Sequence, residues 1–67
     1  MIVAKTEHIK GRMARKGYTG VELAKAVGIT QGYVAQVLSG KKTIRATTAK
    51  KICEVLHSNF DDIFDVK

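Results

Sequence analysis

Apolar residues recur three and four positions apart in successive stretches of this chain, with glycine or small polar residues between the stretches. That period belongs to helices that bury one face. Ile9 and Met13, with Ala14 nearby, predict a first helix over Thr6–Lys16. Leu23, Ala24 and Val27 predict a short second one over Gly20–Val27, and Val34, Val37 and Leu38 a third over Gln31–Leu38. Ala49, Ile52, Cys53 and Leu56 predict a fourth over Ala46–Leu56, with Lys50 and Lys51 outward. Phe60, Ile63 and Phe64 supply aromatic and aliphatic bulk from a fifth that starts at Phe60 and ends at Ile63 or Phe64.

The residues between these stripes agree with them. Thr6 can cap the first helix, and Lys16-Gly17 is a stop: a cation in the last turn, then a residue free to take positive φ. Tyr18 precedes Thr19, the cap of the second helix, in the arrangement of a hydrophobic staple. Gly28 ends that helix, Ile29 plugs the corner, Thr30 caps the third, and Ser39-Gly40 ends it. Gly11 inside the first helix costs about 1 kcal/mol against alanine, which implies strain or close packing there. Lys41–Arg45 reads as a basic loop with one buried anchor, Ile44. His57-Ser58-Asn59 reads as a turn, with Asn59 capping the last helix and Asp61 and Asp62 near its positive end. Met1–Ala4 is short and apolar; it starts the first helix, forms an extended arm, or packs on a partner chain. Asp65–Lys67 reads as frayed. The expectation is an all-α, five-helix fold with no sheet, in a single domain spanning residues 1–67 with its core in 6–64. Two short helices around a tight turn, Thr19–Gly40, have the grammar of a helix-turn-helix, whose second helix is free to enter a DNA major groove.

Charge sharpens this picture. Of the 12 Lys and Arg residues, eleven lie in residues 1–53, where Glu7 and Glu22 are the only acids; residues 54–67 hold four acids and one lysine. A basic surface at one end points to a polyanionic partner. Nothing approaches the roughly 20 apolar residues that span a bilayer, and Met1–Ala4 is too short for a signal-peptide core, so a cytoplasmic setting is expected. Cys53 is the single cysteine and reads as a small core residue, with no intrachain disulfide to make. His8 and His57 are separated by nearly the whole domain and read as no metal or catalytic pair, and Ser39, Ser58 and Cys53 form no nucleophile–base constellation. The reading is therefore non-enzymatic, with no metal, cofactor, membrane or small-molecule substrate.

With Leu23-Ala24, Val27-Gly28-Ile29-Thr30-Gln31, Ser39-Gly40-Lys41, Thr48-Ala49-Lys50-Lys51-Ile52 and Phe60-Asp61-Asp62-Ile63-Phe64 in this order, the chain resembles the phage-repressor and Cro-like helix-turn-helix family, the XRE family. The resemblance covers residues 6–64. It implies a compact five-helix, lambda-repressor-like domain that binds double-stranded operator DNA, usually as a homodimer, with the third helix as the reader. Position by position, it implies base contacts from Gln31, Gly32 and Gln36, the last about a turn and a half beyond Gln31 on the same face. A glutamine can pair bidentately with adenine. It implies backbone contacts from Thr30, Lys41, Lys42 and Thr43 and a groove-facing Tyr33; the Tyr33 hydroxyl, Arg45, and Arg15 and Lys16 near the start of the second helix are further phosphate contacts suggested by position and charge.

The chain departs from the family pattern at three places. Gly20 replaces a phosphate-touching glutamine, and Gly32 leaves a groove-facing position without a side chain. Met13 and Leu38 stand where several relatives bury an Arg–Glu pair, so both are expected in the core, touching each other. The expected function is repression by a small phage- or mobile-element-type regulator that occupies an operator overlapping a promoter. An antitoxin-like protein-interaction role, or RNA binding by the same basic face, are the alternatives.

Overall fold

The computed structural model describes residues 1–67 and places the five helices over the expected spans: α1 Thr6–Lys16, α2 Gly20–Val27, α3 Gln31–Leu38, α4 Ala46–Leu56 and α5 Phe60–Ile63. Each of the predicted stripes turns inward. Ile9 and Met13 of α1, Leu23, Ala24 and Val27 of α2, Val34 and Val37 of α3, and Ala49, Ile52 and Leu56 of α4 are buried together with Ile44, Ile63 and Phe64. The buried set is wholly apolar, with no polar or charged residue in it. Removing such side chains from water, at about 1.5–3 kcal/mol for each large aliphatic or aromatic one, is what holds so short a chain together.

The helix ends are closed by backbone geometry that the glycines permit. Gly17 adopts φ +76°, its N–H donating to Ala14 and that of Tyr18 to Met13. Gly40, at φ +77°, closes α3 in the same way, with N–H groups of Gly40 and Lys41 on the carbonyls of Val37 and Gln36. Thr19 and Glu22 form a reciprocal capping box at 3.2 Å each way, and the hydroxyl of Thr30 accepts from the amide of Tyr33 at 3.1 Å. α4 ends on His57 in the same left-handed conformation, φ +52°, with no glycine to ease it.

Several expectations are corrected. The fold is mostly helical but not sheet-free: Ile2–Ala4 forms β1 and Phe64–Val66 forms β2, paired antiparallel in the register Ile2↔Val66, Val3↔Asp65, Ala4↔Phe64. Of the three readings of Met1–Ala4, the extended one is realised, paired within the chain. Asp65–Lys67 is tied down, since Lys67 N–H donates to the Met1 carbonyl at 2.7 Å. On its other side β1 bridges to Ile44, whose N–H donates to the Ile2 carbonyl at 3.1 Å. α1 is preceded by Lys5 as its cap residue, and neither Lys5 nor Asn59 makes a side-chain capping bond. Gly11 is neither tightly packed nor in a left-handed conformation; a Cβ there would meet nothing within 4 Å. Met13 is buried, but Leu38 and Cys53 are only half-buried at the margin of the core, so Met13 and Leu38 are not a fully buried pair.

Candidate nucleic-acid interface

The inner face of α3 is set by Val34 and Val37, both buried, and by Leu38 at the core margin. The opposite face is left to solvent: Gln31, Gly32, Ala35 and Gln36 are exposed. At about 100° per residue, Gln36 lies four positions from Gly32 and shares its face, whereas it is about 140° around the helix from Gln31. This corrects the single-face expectation for the two glutamines. Gln31 reaches out from the first turn, and Gln36 projects one turn on, past the bare backbone of Gly32. No protein atom would oppose a Cβ at Gly32, so the glycine is not required by packing inside the chain.

The loop after α3 is built to return across its end. Ser39 Oγ donates to the Gln36 carbonyl at 2.8 Å, the Lys41 amide donates to the same carbonyl at 3.2 Å, and Ile44 pins the far side into the core. Lys41, Lys42, Thr43 and Arg45 are all exposed. The return places Lys42 Nζ over the ring of Tyr33, 5.0 Å from its centroid. Tyr33 itself is half-buried against the core. Thr30 is exposed, its hydroxyl engaged as the cap of α3. Arg15 and Lys16 are exposed in the last turn of α1 and share no hydrogen bond or ion pair with the loop cations. The single ion pair in the molecule lies elsewhere, Arg12 to Asp62 at 3.9 Å with both side chains nearly half exposed, where such a pair is worth little. The loop cations therefore carry no internal carboxylate partner.

The Tyr33–Lys42 contact is the feature that local sequence reading does not reach, because it joins residues on either side of a turn. Other chemistry is sparse. A polar hollow of about 220 Å³ on the outer face of α1 is lined by Glu7, His8, Gly11, Arg12 and Arg15, but Arg12 is already turned to Asp62. No three His, Cys, Asp or Glu side chains come together in a metal-binding group. Burial pushes the Cys53 thiol above its ordinary pKa, with the neighbouring Glu54 carboxylate acting the same way and a backbone hydrogen bond opposing both. No helix is long and apolar enough to cross a membrane.

A family model described as Helix-turn-helix matches residues 9–63. The chain thus belongs to the XRE-type helix-turn-helix family, with α2 and α3 as the two helices of the motif. Its fold is that of a crystal structure of a proposed DNA-binding protein from Bacteroides fragilis, with a TM-score of 0.78 over 97% of this chain and 100% of that one at 22% identity. Family membership defines its class as a DNA-binding regulator of transcription.

Proposed function

We propose that the protein is a sequence-specific repressor of the phage or mobile-element kind, which sets α3 into the major groove of an operator and blocks the promoter beneath it. The observation that carries this reading is the outer face of α3. It offers Gln31, Gly32 and Gln36 to solvent, and the loop beside it presents Lys41 and Lys42 without a carboxylate partner. In this reading Gln31 and Gln36 pair with base edges, and Gly32 lets the backbone approach them. Thr30, Lys41, Lys42, Thr43 and Arg45 meet phosphates along one strand, while Arg15 and Lys16 flank the backbone from α1. Two copies bind as a homodimer on a pseudo-palindrome, with half-sites about one helical turn apart.

Selection of bound sequences from a random duplex pool at physiological salt tests this. The expected result is a short motif with two-fold symmetry. Recovery of duplexes with no shared motif would remove the specific-regulator reading, and preferential recovery of RNA from a matched pool would replace it.

A further inference from the structure

Lys42 is an exposed lysine with no carboxylate within ion-pair distance, yet its ammonium is not free in solution: it sits 5.0 Å from the centre of the Tyr33 ring. Both sides of the contact are anchored. Tyr33 is half-buried on α3, its amide tied to Thr30. The loop is held one residue before Lys42 by the Lys41 amide on Gln36, and two residues after it by the Ile44 amide on Ile2. The ring face occupies at most one N–H of the tetrahedral ammonium, so at least two of its three donors remain available to an anion.

We propose that Tyr33 is a positioning residue: its ring holds the Lys42 ammonium beside α3, so that the reading helix and the phosphate-binding loop reach DNA as one pre-arranged unit. The inference rests on the reading of α3 as the DNA-binding helix. It gives Tyr33 a role through its ring, where the sequence alone suggests one through a phosphate contact of its hydroxyl. Pre-arrangement matters because a lysine side chain otherwise loses its rotamer freedom only on binding.

Affinity for a mixed-sequence DNA duplex, measured across salt concentrations, separates the possibilities. Lys42→Met removes one phosphate contact, and the slope of log Kobs against log salt falls by about 0.9. Tyr33→Leu leaves every charge in place, so its slope is expected to stay near the parent's while its affinity falls several-fold at every salt concentration, and in the Lys42→Met background Tyr33→Leu is expected to add nothing further. Tyr33→Phe keeps the ring and is expected to bind as the parent does. Tyr33→Met, with similar apolar bulk, serves in place of Tyr33→Leu if that variant melts. In the DNA-free protein, ring-current shielding of the Lys42 ε-methylene protons should be present in the parent and in Tyr33→Phe, and absent in Tyr33→Leu.

Parent-like affinity for Tyr33→Leu, the same loss from Tyr33→Leu whether or not Lys42 is present, or a loss of affinity in Tyr33→Phe equal to that in Tyr33→Leu, would overturn the proposal while leaving the DNA-binding reading intact. Absence of the shielding in the parent would overturn it without any reference to DNA. A parent chain that shows the shielding but binds no duplex would remove the DNA-binding reading, and this role of Tyr33 with it.

Discussion

The amide of Ile44 donates to the carbonyl of Ile2 at 3.1 Å, so the first strand of the chain is fastened to the loop that follows α3. β1 is thereby the middle element of a small array, with β2 on one side and Ile44 on the other. The apolar N-terminus is a strut for the loop that carries Lys41, Lys42 and Arg45. Removal of residues 1–4 should cost at least about 2 kcal/mol through lost hydrogen bonds and the exposure of Ile44 and Phe64. It should also raise hydrogen exchange at the Ile44 amide well before α2 and α4 are affected. Exchange measured residue by residue checks this, and unchanged protection at Ile44 would refute it.

His57 ends α4 at φ +52°, a conformation in which a side chain is disfavoured and glycine is not. Its N–H still completes the helix end on the Glu54 carbonyl, so the backbone geometry must be kept by any replacement. His57→Gly is expected to stabilise the protein by about 1 kcal/mol, a rise in Tm of roughly 4–8 °C for a domain of this size. Thermal melts followed by circular dichroism decide it; an unchanged or lowered Tm would mean that the imidazole makes a contribution that outweighs the strain.

The first three helices are legible in the sequence because each is marked twice, by an apolar stripe and by a stop at Gly17, Gly28 or Gly40, and α4 is legible from its stripe. The exposed face of α3 is legible for the same reason, since placing Val34 and Val37 inward leaves Gln31, Gly32 and Gln36 outside. The sheet is not legible. Three residues are too few to display an alternating pattern, and Ile2 and Val66 pair across nearly the whole chain. The left-handed His57 escapes as well, because its conformation comes from the hydrogen bonds that close α4 and no glycine marks it. The contact of Lys42 with Tyr33 depends on how the loop folds back after Gly40, which no local spacing records.

The Cys53 thiol gives the protein an alkaline sensitivity. Burial raises its pKa in the folded chain above its unfolded value. The folded state therefore holds this proton more tightly, and the contribution to stability is complete below the unfolded pKa. It is lost as pH rises from there through the raised folded value. Alkylation by iodoacetamide should thus be slow at neutral pH and accelerate with a midpoint above that of a free cysteine. The parent should lose more stability on the alkaline side than Cys53→Ala does. A midpoint at or below the free-cysteine value would contradict this.

Gly32 and Gly11 form a matched pair for testing what a glycine is for. Both are helical, and neither has any atom within 4 Å of where a Cβ would stand. Alanine at either position should stabilise the fold by about 0.5–1 kcal/mol through helix propensity alone. If Gly32 is there to let the backbone of α3 approach the bases, Gly32→Ala will be more stable yet bind the selected operator more weakly, whereas Gly11→Ala will gain stability with binding unchanged. Equal binding by both variants would show that the groove leaves room for a methyl group.

Gln36 and Lys41 are joined through the backbone, the Lys41 amide donating to the Gln36 carbonyl, but their side chains are expected to do different work. An amide side chain reads one base pair, so Gln36→Ala should flatten the preference at a single position of each half-site, about 1–3 kcal/mol of discrimination, and leave the salt slope as it was. An ammonium neutralises one phosphate, so Lys41→Ala should weaken all duplexes alike and lower the slope by about 0.9. Titration of both variants against the operator and its single-base changes at two salt concentrations separates the roles. If Gln36→Ala weakens every sequence equally, Gln36 reads no base, and recognition must rest on Gln31 and on the shape of the operator.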